Sequence, residues 1–174
     1  MSEKIEIDIV RNLKDLLQAF DLRREEFVKK QNVPEEMEFD GNDFSATQII
    51  AKANGKPIAT MRVRYFHDFV KFERMCVIPA YRKQNIPQKV FAFAAQVLKD
   101  KGFKRAMFFC RPELVKYWKS HGCQPVDSMP GTDIGAMKLC PMSWSFTKKE
   151  DKLQIKTPAA FFLAEEGKWN RGGR

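Results

Sequence analysis

The sequence lacks any apolar run long enough to cross a lipid bilayer. Among its 174 residues the longest such runs lie around Val90–Ala95 and Pro158–Ala164, whereas a transmembrane helix needs about 20 apolar residues. A secretory signal is also missing, because Glu3, Lys4 and Glu6 interrupt the N-terminal segment. We therefore expect a cytoplasmic protein without membrane contacts.

The sequence is also poor in the residues that build common hydrolytic and metal sites. It has two histidines, and its four cysteines form no CxxC pair. It contains no Ser-His-Asp order, metal-ligand set or Walker loop, so we predict no metal. The cysteines are well separated, which is typical of buried, reduced thiols in a reducing cytosol.

An excess of positive charge, +9 overall, raises the question of a polyanionic partner. The basic residues are spread along the chain, with two loose concentrations at Arg82–Lys89 and Lys148–Arg174. Binding of nucleic acid would need a broader basic stripe. A small molecule that carries phosphate groups accounts for the first concentration, so we favour it over nucleic acid as the partner.

Hydrophobic periodicity predicts one α/β domain with a mixed, mostly antiparallel sheet of six to seven strands and helices on both faces. The turn Asn54-Gly55 is typical of a hairpin. We predict strands at 5–10, 46–53, 58–66, 69–78, 106–110, 124–127 and 136–140, and helices at 13–31, 86–101 and 112–122. We place the domain at residues 1–140. Residues 141–174 are treated as an extension that docks in part and is disordered at its end.

The connection after the fourth predicted strand carries the most specific motif. It reads Val77-Ile78-Pro79-Ala80-Tyr81-Arg82-Lys83-Gln84-Asn85-Ile86-Pro87, and it resembles the V-x-P-x-Y-R-x-x-G-x-G/A signature of the GNAT superfamily of acetyltransferases. Two further stretches, 22–40 and 72–77, are similar to a bacterial GNAT subgroup, and the resemblance covers residues 5–140. The chain departs from the signature where Asn85 and Pro87 stand in place of glycines.

The same connection is suited to bind phosphate on physical grounds. Successive N–H groups at a helix N-terminus form an anion nest. Asn85 tolerates a positive φ, whereas Pro87 has no N–H to offer. The alternative is an ordinary basic turn. The resemblance implies acetyl-CoA, or another acyl-CoA, as co-substrate. Its phosphates would contact Arg82, Lys83, Gln84, Asn85, Ile86, Gln88 and Lys89, and its pantetheine arm Met75, Cys76 and Val77.

Glu73 is the candidate general base that would deprotonate an incoming amine. Its carboxylate interrupts an apolar strand, and strict alternation would place it on one face with Met75 and Val77, beside the thioester. The alternative is a structural salt bridge, with Arg62, Arg64 or Lys71 as the partner.

Tyr117 is the candidate general acid for the leaving thiolate. In the family, a tyrosine usually stands four residues before the glycine that ends this helix. Counted from Gly122, that place holds Trp118, and Tyr117 comes one residue earlier, which is ~100° around a helix. A packing role for Tyr117, water as the acid, and Cys110 as a substitute are the alternatives.

The acidic stretch Glu35–Asp43 borders the acceptor side in this family. With Phe27, residues Glu38 and Asp40 are the candidate contacts for a small-molecule or peptide amine, and a solvated acidic loop is the alternative. The spacing Glu38-x-Asp40-x-x-Asp43 is also similar to the acidic clamp of acyl-homoserine lactone synthases.

We predict an N-acyltransferase. The alternatives are an acyl-homoserine lactone or N-acyl amino acid synthase and a GNAT-like binding module without catalysis. Assembly into a homodimer is left open.

Overall fold

The computed structural model of the protein describes residues 3–134 and 137–146. The strands are β1 (Ile5–Ile9), β2 (Thr47–Ala53), β3 (Lys56–Tyr65), β4 (Val70–Val77), β5 (Arg105–Cys110), β6 (Gln124–Pro125), β7 (Thr132–Ile134) and β8 (Met137–Ser145). The helices are α1 (Leu13–Arg23), α2 (Glu35–Glu38), α3 (Ile86–Asp100) and α4 (Val115–Ser120), with 3₁₀ turns at Asn42–Phe44, Pro79–Tyr81 and Pro112–Leu114. Within these two ranges, none of the helices combines the length and the hydropathy of a membrane span.

The strands form a mixed sheet in the order β1-β2-β3-β4-β5-β8-β6, and β7 pairs with β8. Every pairing is antiparallel except that between β4 and β5. Helix α3 connects these two parallel strands, as the predicted crossover requires. The mixed, mostly antiparallel α/β fold is therefore confirmed. The described residues hold one strand more than the upper prediction, because the three-residue β7 is too short to leave a periodic pattern.

The two faces of the sheet carry different kinds of side chain. Met61 and Val63 of β3 belong to an apolar core that includes Phe91 and Leu98 of α3. Side chains alternate along a strand, so Thr60 and Arg62 point to the opposite face, where Arg62 reaches the acidic segment that follows α1. Helix α3 therefore covers the apolar face of β3, and the opposite face of β3, with Thr60 and Arg62, lies beneath α1.

The helix predicted at 13–31 is present but changes its winding. Asn12 caps α1, since its Oδ1 accepts a hydrogen bond from the Asp15 N–H at 2.9 Å. From Arg24 to Lys29 the chain forms a π-helical turn, a rare geometry that is frequent at functional sites. The Gln31 side chain donates to the carbonyl oxygen of Glu26 at 2.8 Å and so satisfies one acceptor of this turn.

Strand β8 crosses the predicted domain boundary at residue 140. It runs to Ser145 and pairs with β5 at six successive positions, from Arg105–Ser145 to Cys110–Cys140. The sheet therefore extends five residues beyond the predicted boundary. The predicted extension from residue 147 onward lies outside the described residues.

Candidate functional site

Strands β4 and β5 separate towards their C-terminal ends. They pair only at Val70–Ala106 and Lys71–Met107, although both strands continue beyond these positions. On its other side, β4 stays paired with β3 as far as Val77. Within the described residues, the edge of Met75–Val77 that faces β5 therefore has no strand partner. We call this space the β4–β5 gap; an extended ligand can pair with such an edge as an added strand does.

A β-bulge at Arg74 accompanies this separation. Arg74 has a φ of +53°, and the pairing of β4 with β3 slips at the same place. A residue with a side chain pays about 1–2 kcal/mol for such a conformation. Contacts of the guanidinium offset the cost, because it donates to the carbonyl oxygen of Met37 at 2.6 Å and pairs with the Glu38 carboxylate at 3.0 Å.

The bulge breaks the alternation on which the sequence argument for Glu73 relied. Glu73 lies opposite Arg62, and Cys76 lies opposite Thr60. Since Thr60 and Arg62 share a face of β3, Glu73 shares its face with Cys76 and not with Met75 or Val77. The predicted common face of Glu73, Met75 and Val77 is therefore wrong, because the sequence gives no sign of the extra residue in β4.

The loop between β4 and α3 presents backbone donors. Asn85 has φ 58° and ψ 18°, the left-handed conformation that a glycine of the signature would adopt readily. In the described part of the chain, the N–H groups of Asn85, Ile86 and Gln88 have no backbone acceptor. Pro87 removes one donor from this set. The remaining donors at the N-terminus of a 15-residue helix form a nest that can bind a phosphate.

A side-chain atom beside this nest also lacks a partner. The Oε1 atom of Gln88 is buried and makes no hydrogen bond within the described residues, a state that costs about 1–3 kcal/mol. A bound polar group would relieve this cost. If the Gln88 side-chain amide rotated by 180°, its NH₂ group would take the place of Oε1 and could donate to a phosphate. The exposed side chains of Lys83, Gln84 and Lys89 surround the same loop. These residues fit the pyrophosphate of a coenzyme A.

Arg82 links the loop to two other elements. Its Nε donates to the carbonyl oxygen of Val77 at 2.9 Å, and its NH2 group donates to Glu26 Oε2 at 2.7 Å. Glu26 is buried on the π-helical turn and also binds Lys30 at 2.6 Å. Because about half of the Arg82 side chain is exposed, its remaining donors can still reach a phosphate.

Glu73 lies in a buried ion network. Its Oε1 accepts from Arg62 Nε at 2.9 Å, and its Oε2 lies 2.5 Å from Lys71 Nζ. Burial alone would raise the pKa of Glu73, but the Lys71 and Arg62 cations hold it well below its usual range. The salt bridges that were the alternative for Glu73 are therefore present. A role as general base stays a prediction, and these cations oppose it because a carboxylate of low pKa is a weak proton acceptor.

Three carboxylates of the acidic segment, those of Glu38, Asp40 and Asp43, are shielded from solvent and paired, whereas Glu35 and Glu36 at its start are exposed. Asp40 binds Arg62 through both carboxylate oxygens at 2.7 and 2.9 Å, and Asp43 binds Arg23 at 2.6 Å. Burial would raise the pKa values of both aspartates, but these guanidinium groups lower them. Glu38 differs, because burial raises its pKa despite nearby arginines. The alternative of a solvated acidic loop is therefore wrong for Glu38, Asp40 and Asp43 and holds for Glu35 and Glu36.

An acceptor contact at Glu38 and Asp40 stays a prediction. A cationic acceptor would have to displace the guanidinium groups that now hold these carboxylates. Phe27, the third residue in this prediction, is half-buried on the π-helical turn. It remains the best placed of the three, because it can contact an acceptor without breaking an ion pair.

Trp118 occupies the position of the usual tyrosine and packs into the core. Its ring lies 5.1 Å from that of Phe91 and 5.0 Å from that of Phe108. Tyr117 is half-buried beside His121, with ring centroids 4.5 Å apart. Burial raises the pKa of Tyr117, which keeps its phenol protonated as a general acid requires. The acid role of Tyr117 stays a prediction. Cys110 is buried, and burial raises its pKa to about 11.

Sequence reasoning gave no role to three residues that connect the chain after β5 with the chain after β4. Arg111, directly after β5, donates to Gln31 Oε1 at 2.6 Å, and Gln31 in turn holds the Glu26 carbonyl. Glu26 reaches Arg82 on the β4 side. The π-helical turn therefore bridges the two sides of the gap. Two features of the sequence could have pointed to these residues: the i, i+4 spacing of Glu26 and Lys30, and the position of Arg111 at the end of a strand.

Comparison with known proteins agrees with this geometry. The chain is similar to the uncharacterized N-acetyltransferase YjcF of Bacillus subtilis (strain 168), with 28% identity over 131 residues, 75% of this chain and 94% of that protein. A GNAT family acetyltransferase from Elizabethkingia anophelis with acetyl-CoA bound has a TM-score of 0.64 at 12% identity, over 82% of this chain and 98% of that one. FeeM, an N-acyl amino acid synthase from uncultured soil microbes, has a TM-score of 0.71 at 8% identity, over 89% and 98%.

At such identities the two structural similarities show the fold alone. The family itself is shown by sequence, since the model of the acetyltransferase (GNAT) family matches residues 14–122. This match covers α1 from its second residue, strands β2 to β5 with the β4–β5 gap between the last two, the loop between β4 and α3, and helices α3 and α4. The chain therefore belongs to the GNAT family of acetyltransferases.

Proposed function

We propose that the protein transfers an acyl group, acetyl in the simplest case, from an acyl-CoA to an amine by direct attack. The observation that carries this proposal is the β4–β5 gap, whose unpaired β4 edge leads straight to the anion nest at the start of α3. The pantetheine arm would pair with the backbone of Met75, Cys76 and Val77. The phosphates would contact Arg82, Lys83, Gln84, Asn85, Ile86, Gln88 and Lys89, and the acetyl-CoA-bound relative from E. anophelis supports this cofactor.

In the proposed reaction the amine nitrogen attacks the thioester carbonyl carbon. A C–N bond forms, the C–S bond breaks, and coenzyme A leaves as a thiolate that takes up a proton. The attacking nitrogen must lose a proton. Glu73 would orient the amine or accept this proton directly or through water, and Tyr117 would protonate the thiolate. Since Glu73 is held ionised by Lys71 and Arg62, we favour proton removal through water.

Calorimetric titration with acetyl-CoA tests the first step. We expect micromolar binding of acetyl-CoA, with desulfo-CoA and longer acyl-CoAs compared in parallel. The double variant Arg82→Ala, Lys83→Ala should lose about 100-fold or more in affinity, because it removes two charge-assisted contacts to phosphate, each worth about 1.5–3 kcal/mol. Its matched control is Lys99→Ala, Lys104→Ala, which removes two exposed lysines at the opposite end of α3 from the loop and should bind as the wild type does.

The result also separates the transferase from a binding module. If no acyl-CoA binds, or if both double variants lose affinity equally, the nest is not a coenzyme A site and the proposal fails. Binding without release of free coenzyme A in the presence of any amine would favour a module without catalysis. With turnover in hand, Glu73→Gln and Tyr117→Phe test the proton-transfer roles, each of which is typically worth 10²- to 10⁴-fold in rate.

A further inference from the structure

Arg111 carries a partly buried guanidinium that has no negative partner among the described residues. Its NH2 group donates to the neutral amide oxygen of Gln31 at 2.6 Å. Among the residues that the structure describes, no carboxylate lies within 4.0 Å of it. The buried Arg23 and Arg62 and the partly buried Arg74 each pair with a carboxylate. The remaining N–H groups of Arg111 can therefore bind an anion.

The position of Arg111 relative to the sheet indicates where this anion would lie. Along β5, Phe108 and Cys110 belong to the core on the α3 face, whereas Met107 belongs to a second apolar cluster, with Phe109 packed against it. Arg111 continues the Met107–Phe109 side, and its contact with Gln31 agrees, because Gln31 directly follows the π-helical turn and Lys30. Arg111 therefore stands at the end of β5, on the face that α1 covers and that also carries Glu73.

The other charges on this face are already matched. Glu73 pairs with Arg62 and Lys71, and the acidic segment pairs with Arg23, Arg62 and Arg74. Glu26 is held by Lys30 and Arg82. A simple cationic amine would find no uncommitted carboxylate among these groups, and it would be repelled by Arg111. An amine that also carries a negative group would supply the missing partner.

We propose that the acceptor is an amine that bears a carboxylate, as an amino acid does, and that Arg111 binds this carboxylate. Gln31 acts as a positioning residue, because its amide oxygen holds the guanidinium while its NH₂ group is anchored on the π-helical turn. A guanidinium binds a carboxylate through two parallel hydrogen bonds, which fixes the orientation of the acceptor. This inference rests on the proposed acyl transfer and names the class of its acceptor.

The test compares matched acceptors in one assay. Release of coenzyme A from acetyl-CoA is followed with the twenty common L-amino acids, their α-amides and their decarboxylated amines. We expect at least one amino acid to be acetylated with a kcat/KM about 10-fold or more above its amide. In Arg111→Gln, the KM for that amino acid should rise about 10- to 150-fold. Its kcat should change little, and the preference over the amide should vanish. Lys119→Gln, an exposed change on α4, is the matched control.

Three results would overturn the inference while leaving the acyl transfer intact. The wild type could acetylate amides or decarboxylated amines as efficiently as the acids, or it could bind acetyl-CoA yet turn over no carboxylated acceptor. In the third result, Arg111→Gln would weaken acetyl-CoA binding by calorimetry, which would assign the guanidinium to the cofactor. A wild type that binds no acyl-CoA would instead refute the proposed function together with this inference. Arg111→Lys, which keeps the charge, should retain part of the preference, and it separates loss of recognition from loss of folding.

Discussion

The guanidinium of Arg62 is the centre of the buried charged network, and its removal should be costly. It contacts Asp40 at 2.7 and 2.9 Å, Glu73 at 2.9 Å and Asp43 at 3.0 Å, and its side chain has no exposed surface. Methionine in its place keeps the length of the side chain but leaves three buried carboxylates short of a cation. Removing one partner of a buried pair costs about 3–5 kcal/mol, so Arg62→Met should lose this much of a total stability of about 5–15 kcal/mol.

The loss should depend on pH in a defined direction. In the wild type the pKa values of Asp40 and Asp43 lie below their ordinary value of 3.8. A carboxylate with a lowered pKa contributes stability above its unfolded pKa, and this contribution is lost as the pH falls through the folded value. Without Arg62 these pKa values rise, so the variant gains from protonation under acid conditions while the wild type loses. Because the folded values lie below 3.8, the difference between the two proteins should shrink mainly as the pH falls from about 6 to about 3.

Urea denaturation at these two pH values measures both effects. Arg24→Met is the matched control, because Arg24 is 41% exposed and pairs with Glu35 at the surface. A surface pair contributes about 0–1 kcal/mol, so this variant should unfold nearly as the wild type does. The reasoning is refuted if Arg62→Met costs less than about 1 kcal/mol, or if its cost is the same at both pH values.

Three further substitutions or reactions test separate parts of the structure. Asn85→Gly should keep or raise the unfolding temperature, whereas Asn85→Val should lower the free energy of unfolding by about 1–2 kcal/mol because of the positive φ. If the two variants had the same effect in thermal unfolding, residue 85 would not have a positive φ. Trp118→Ala should cost about 3–5 kcal/mol by denaturant titration, because it leaves a cavity beside Phe91 and Phe108, while Tyr117→Phe should cost under about 1 kcal/mol. Burial raises the pKa values of Cys76 and Cys123 to about 12, so at about pH 8 these two residues carry almost no thiolate. Iodoacetamide should therefore modify the half-buried Cys140 first in the native protein. Mass spectrometry that finds Cys76 modified first would contradict the packing of β4.

Features set by local chemistry could be predicted from the sequence. Asn12 precedes a helical pattern and caps α1, and Asn54-Gly55 closes the β2–β3 hairpin with positive φ values at both residues. Asn85 takes the left-handed conformation for which Asn is suited. In each case the residue and its immediate neighbours supply the interaction that decides the backbone. The order of strands and helices follows from the same kind of pattern, which is why the fold was accessible.

Features that depend on distant partners could not be predicted. The π-helical turn at Arg24–Lys29 meets Arg82 and Arg111 through side chains more than 50 residues away in the chain. The pairing of the acidic segment with Arg62 depends on a strand that follows 22 residues later. The sequence alone favours a solvated loop for an acidic stretch, because the arginines that pair with its carboxylates are spread over α1, β3 and β4.

The acidic segment thereby acquires a role that composition did not indicate. Arg74 keeps its positive φ while its guanidinium is held by Met37 and Glu38, and Glu38 is itself held by Arg23. The bulge at Arg74 lies where β4 has turned away from β5, and this separation opens the gap that would receive the pantetheine arm. The carboxylate of Glu38 therefore supports the bulge in β4, and its contact with an acceptor amine stays a prediction. Arg111 lies outside this network and is held by the neutral amide of Gln31, which is why we propose it for recognition of the acceptor.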